Sequence, residues 1–137
     1  MAVTVSTFAA PAAPGAYEAG ACNIGPAEIA YRRRWGHAGL VVTLITLAVL
    51  LWSGAPPLVR LIVGLPAAGT AVGYLQAWLR FCAAYGLLGV FNFGRLRDTR
   101  RVQDPVARAR DRMKALQIGL AGALIGLSVG VAAALLP

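Results

Sequence analysis

The sequence predicts an all-α integral membrane protein: a two-helix membrane hairpin, an interfacial segment after its second helix, and one long C-terminal helix carrying a third transmembrane span. Three observations predict it. Hydrophobic residues make up 58% of the 137-residue chain and charged residues only 13%, against about 25% charged in a typical soluble domain. Three apolar stretches approach the roughly 20 residues a helix needs to cross a bilayer. The cations sit in short blocks at the ends of those stretches, a pattern that sets membrane orientation. The chain is long enough for one domain.

Residues 1–21 are rich in Ala, Pro and Gly and carry no Lys or Arg. Pro11 and Pro14 break the only apolar run, and a secretory signal needs a basic start and an unbroken one. The expectation is a flexible cytoplasmic tail.

Residues 22–94 form the hairpin and its interfacial segment. The first helix is expected to start near Pro26, since Pro is tolerated at the first helical position and Glu28 complements the helix dipole there. Arg32, Arg33 and Arg34 fall at headgroup level, and the span runs from Trp35 to Trp52, with an indole marking each interface. His37 lies just inside it as an interfacial polar residue beside Trp35. Ser53-Gly54-Ala55-Pro56-Pro57 reads as a tight turn. The second span follows from Leu58 to Leu79. Arg60 snorkels to headgroups from its first turn, and Pro66 bends it. Residues 80–94 are too short to cross again and are expected in the interface, with Phe81, Tyr85, Phe91 and Phe93 among the headgroups.

Residues 95–104 form a basic cytoplasmic loop holding Arg95, Arg97, Arg100 and Arg101. Residues 105–137 form the long helix, started by an Asp104 cap and Pro105. It begins in water and enters the bilayer near Ala115.

Cation counting orients the chain. Three arginines precede the first span, nine cations lie between the second and third, and only Arg60 falls on the other side. The positive-inside rule places the N-terminus and the basic loop in the cytoplasm and the C-terminus outside, in a bacterial inner membrane. The net charge of +8 therefore points to anionic lipid rather than nucleic acid, because no polar residues that read base edges cluster beside it. Two cysteines and one histidine cannot by themselves fill a tetrahedral zinc site, and no cofactor motif is present. The spans contain no internal Asp or Glu, which argues against an ion pump.

Two sets of residues remain as candidates. Gly122, Gly126 and Gly130 recur every four residues in the third span, with Gly119 one turn earlier. Gly69 and Gly73 thin one side of the second. Small residues let membrane helices approach closely, so these form a packing face for the chain's own hairpin, a second copy or another protein. Cys22 and Cys82 both lie on the cytoplasmic side and form a possible thiol pair. Cys82 near Arg80 is a candidate for a lowered pKa, or packs as a small apolar residue.

Two motifs bracket the hairpin. Asn23-Ile24-Gly25-Pro26-Ala27-Glu28, followed by Arg33, precedes the first span. Phe81-Cys82-Ala83-Ala84-Tyr85-Gly86-Leu87-Leu88-Gly89 follows the second. Together, over residues 22–94, they resemble the inner-membrane hairpin domain of YgaP-type membrane rhodaneses, also found as free-standing bacterial proteins of unknown function. That family opens with Asn-Val-Gly-x-x-Asp/Glu and a following Arg, and closes with Phe-Cys-Pro-x-Tyr-x-x-Leu-Gly. Ala83 replaces its Pro, Cys22 is an addition, and no rhodanese domain accompanies the hairpin. The resemblance implies a cytoplasm-facing anchor or association module.

The reading that follows is a small non-catalytic membrane protein, acting as an accessory or assembly subunit of a larger membrane complex through glycine-faced helix packing. Its expected partners are anionic lipid and other membrane subunits or itself. A thiol- or persulfide-handling protein is the first alternative, and an oligomeric small transporter or channel the second.

Overall fold

The computed structural model describes residues 16–137; most of the expected N-terminal tail lies outside the described residues. Helix α1 runs Pro26–Trp52, with Pro26 at its first position, where the missing N–H costs nothing. Gly54 (φ +67°) and the Pro56-Pro57 pair turn the chain back. The second span is helical in three pieces: α2 (Pro57–Arg60), a 3-10 turn (Leu61–Val63) and α3 (Gly64–Leu79). Pro66 supplies the physical reason. It has no N–H for the Ile62 carbonyl, and the ladder tightens in the turn that this carbonyl belongs to.

Residues 80–94 fold further than an interfacial strip requires. They form the short helix α4 (Ala83–Leu88), and strand β1 (Val90–Phe91) pairs antiparallel with β2 (Arg100–Arg101). Helix α5 then runs Pro105–Leu135, roughly 46 Å at 1.5 Å per residue. Asp104 caps it as expected, accepting from the Val106 and Ala107 amides at 3.1 and 3.3 Å.

Three helical stretches, Pro26–Trp52, Pro57–Leu79 and Pro105–Leu135, are long and apolar enough to cross a membrane, with mean hydropathy of 1.8, 1.6 and 2.2 over their most apolar windows. Large apolar side chains face outward all along them. Leu44, Ile45, Leu65, Leu120 and Leu127 are each more than half exposed, which suits a lipid surround rather than water.

Helix α3 packs against both α1 and α5, and glycines make both contacts possible. A Cβ on Gly126 would lie 2.5 Å from the Gly64 carbonyl oxygen and from Ala68 Cβ; one on Gly73 would lie 3.0 Å from the Gly36 nitrogen. Gly122 meets Ala68 and Val72, and Gly130 meets Leu61 and Gly64. The expected packing stripe is therefore used within the chain, with α5 laid on α3 through Gly122, Gly126 and Gly130. Gly73 is used likewise against α1. Gly69 and Gly119 are the exceptions: among the described residues, nothing would lie within 4 Å of a Cβ on either.

Two expectations at the ends of the spans need correction. Phe81 is fully buried rather than interfacial: it packs with Ala115 and Ile118 of α5 under Val72, Leu75 and Leu79. Arg60 does not only snorkel. Its guanidinium donates to the Ala55 carbonyl (2.8 Å) and to the Leu136 carbonyl (2.7 Å), placing a cation at the C-terminal end of α5, where the helix dipole favours one.

Candidate functional site

Most of the buried polar side chains among the described residues, Asn23, Glu28, Gln76, Asn92 and Asp111, gather at the basic end of the helices. Asn23, fully buried, starts the arrangement. Its Nδ2 donates to the Cys82 carbonyl (3.1 Å), and its Oδ1 accepts from the Cys82 amide (2.6 Å). Its own amide donates to the Arg80 carbonyl, and its carbonyl accepts from the Asn92 amide. One side chain thus pairs the segment before α1 with the segment before α4, which satisfies backbone groups that a buried loop otherwise leaves unpaired.

Glu28, one turn into α1 and 1% exposed, is the second hub. Its Oε1 accepts from the Tyr85 hydroxyl (2.8 Å), Asn92 Nδ2 (3.0 Å) and the Arg97 amide (2.8 Å). Its Oε2 lies 3.5 Å from Arg32 Nη2. A buried carboxylate needs such partners, because removing it from water unpaired is costly. Arg32 Nη2 in turn donates to Cys82 Sγ at 3.0 Å, and the Arg32 guanidinium lies over the Tyr31 and Tyr85 rings.

Arg32 is therefore not a headgroup contact. It turns inward to Glu28 and Cys82, while Arg33, Arg34, Arg95, Arg97, Arg100 and Arg101 are exposed. The signal was present in the sequence: Glu28 and Arg32 stand four residues apart, the spacing of a helical ion pair.

The two cysteines are free thiols with different neighbours. Cys22 Sγ contacts the Ile24 carbonyl at 3.8 Å, whereas Cys82 is fully buried against Arg32. Arg32, not Arg80, is the cation beside Cys82. Its influence does not lower the pKa on balance. Burial pushes the Cys82 thiol up, against smaller opposing effects of the Tyr85 amide, Arg32 and the Ala84 amide. Burial raises Cys22 as well. Tyr85 is pushed up to about 12, first by burial and then by its bond to the Glu28 carboxylate.

Residues 16–21, expected to be part of a flexible tail, dock onto the folded end. Tyr17 stacks on Phe91 with ring centroids 4.9 Å apart, and its hydroxyl donates to Asp111 Oδ2 at 2.7 Å. The Gly20 amide donates to Asp111 Oδ1 at 2.8 Å. Asp111 of α5 is fully buried, so the segment before α1 covers a carboxylate on the last helix. His37 also has a partner other than the expected Trp35: its Nδ1 lies 2.6 Å from the Tyr74 hydroxyl, which ties α1 to α3.

Beside this network an open groove of about 750 Å³ runs between the start of α1 and the end of α3. Cys22, Ile29, Arg33, Trp78, Arg80 and Phe93 line it, and among the described residues no Asp or Glu does. Among the described residues no three His, Cys, Asp or Glu side chains converge in a metal-binding group.

No family model, curated protein or solved structure matches this chain. The segments that bracket the first two long helices are in contact, through the Asn23–Cys82 and Glu28–Tyr85 bonds. The arginine that joins them is Arg32 rather than Arg33.

Proposed function

We propose that this chain is a small, non-catalytic integral membrane protein of a bacterial inner membrane, with its basic end in the cytoplasm, acting as an accessory or assembly subunit of a larger membrane complex. One observation carries the reading. The buried polar side chains of the basic end, Asn23, Glu28, Asn92 and Asp111, are bonded to one another or to backbone, while Arg34, Arg95, Arg100 and Arg101 face outward. Buried groups matched in this way, with Arg32 Nε the one buried polar side-chain atom among the described residues left without a partner, suit a rigid platform more than a reactive centre, and the outward cations suit anionic lipid or an acidic partner surface.

The glycine stripe does not supply the partner surface, because α3 already covers it. The docking face is assigned instead to the exposed arginines of the 95–101 turn, with Gly69 and Gly119 as the remaining places for close helix approach. A thiol-handling role draws on the Cys82–Arg32 contact; burial of that sulfur counts against it.

The test is the size of the particle extracted in mild detergent at native expression level. The expected species is larger than the 14.2 kDa chain, and Arg100→Glu with Arg101→Glu releases the chain from it. A lone chain under the same extraction would sink the accessory reading.

A further inference from the structure

The groove beside Arg33 and Arg80 has a built continuation. A small recess lined by Arg33, His37, Tyr74, Ala77 and Trp78 shares Arg33, Ala77 and Trp78 with it. That recess shares Tyr74 and Trp78 with an apolar trough of about 630 Å³, walled by α1, α3 and α5. Leu44, Leu47, Ala67, Ala71 and Ile125 line the trough, whose volume lies within the roughly 300–1,000 Å³ of ligand-sized cavities. Its hydroxyl-bearing wall residues do not break its apolar character: Thr43 and Thr70 donate to the Gly39 and Pro66 carbonyls of their own helices, and the Tyr74 hydroxyl is paired with His37. Trp78 is common to all three parts and 80% exposed, an indole at the depth where a membrane changes from polar to apolar.

We propose that this path is a binding site for one anionic diacyl phospholipid of the surrounding bilayer. The phosphate sits between Arg33 and Arg80, and an acyl chain lies along the trough past Trp78. The proposal rests on the reading above that the three long helices span a membrane.

Charge complementarity selects the occupant. Neither Arg33 nor Arg80 has a carboxylate partner among the described residues, where Glu28 is paired to Arg32, and residues 1–15 contain no Asp or Glu. Two unpaired guanidinium groups at the mouth of an apolar trough match phosphate oxygens attached to a hydrocarbon chain. The backbone agrees. Arg80 ends α3 in the left-handed conformation, φ 54°, where glycine sits without strain. An arginine held there places a cation at the mouth that glycine would not.

The test uses the full chain, purified and delipidated in detergent. Bound lipid is counted by native mass spectrometry with phosphatidylglycerol or phosphatidylcholine of identical acyl chains. Phosphatidylglycerol is expected to bind roughly thirtyfold more tightly, the scale of two cations at about 1 kcal/mol each near a membrane surface. Arg33→Gln with Arg80→Gln should erase that preference. Arg80→Gly, which removes the cation but keeps the backbone shape, should reduce it even if the double variant unfolds. Arg100→Gln with Arg101→Gln should leave it intact. Equal binding of the two lipids would overturn the site. So would an equal loss of preference in the Arg100/Arg101 control, or competition by glycerol phosphate, which carries the charge without the chains. Any of these leaves the accessory reading standing, since that is judged by particle size.

Discussion

Cys82 shows how geometry and environment compete at a single residue. A guanidinium 3.0 Å from a sulfur favours the thiolate, yet the thiol is also fully buried, and desolvation of the charged form is the larger effect. Only the thiolate is nucleophilic, so the raised pKa and the burial both slow its chemistry. In a Cys22→Ser background, alkylation of Cys82 at neutral pH is expected to be on the order of a hundredfold slower than that of a peptide thiol, because the site must first open. The rate should keep climbing at pH values where an exposed thiol has already levelled off, since burial holds the Cys82 thiol above the ordinary range. Labelling at the peptide rate at neutral pH would instead mark Cys82 as an accessible nucleophile and revive the thiol-handling reading. The position of Cys82 beside a basic helix end was legible in the sequence. Which arginine it meets was not, because Arg32, Arg33 and Arg34 differ only in azimuth around α1, and a sequence does not say which side of a helix another loop covers.

At the scale of elements, the glycine register in α5 was readable and its use was not. A four-residue repeat says that one face is thin; it does not say whether the partner helix comes from the same chain. The structure supplies Ala68, Gly64 and Val72 of α3 as that partner. Gly126→Ile should therefore act on the fold of the single chain. Its Cβ would meet the Gly64 carbonyl and Ala68 at 2.5 Å, both fixed parts of a neighbouring helix, and overpacking of this kind costs about 1–3 kcal/mol or more. The expected result is a lower unfolding temperature in detergent with membrane insertion retained. Leu127→Ala, at a side chain 62% exposed, should change the unfolding temperature little. Equal effects of the two substitutions would mean that α5 does not lie on α3 through this stripe. Other element-level features were open to reading in advance: Asp104 at the cap of α5, and Pro66 as the point where the second span departs from regular geometry. Those rest on local chemistry, whereas the burial of Phe81 rests on contact with Ala115 and Ile118, more than 30 residues away in the chain.

At the scale of the whole molecule, the two ends of the bundle differ in kind. One end carries the Asn23 and Glu28 networks and all but one of the cations; the other carries the 53–57 turn, Arg60 and the C-terminus. In the proposed orientation, which follows the positive-inside rule, the C-terminus lies outside the cytoplasm. A reporter that is active only outside the cytoplasm, fused after Pro137, should be active, and one active only inside should be silent. The reverse pair of results would overturn the three-span orientation. Cation counting needed only the sequence. The docking of Tyr17 on Asp111 did not announce itself, since it joins residues 94 positions apart.

That last contact bears on the order in which the protein is made. A ribosome delivers α1 and α3 before α5, so the hairpin waits with the Gly64–Ala68 face of α3 unfilled and Tyr17 without its acceptor. Helix α5 closes both vacancies when it arrives, one along the helix bundle and one at the basic end. The packing of α3 is thus incomplete until α5 has been made, and a transcript broken before α5 yields a hairpin with an open seam.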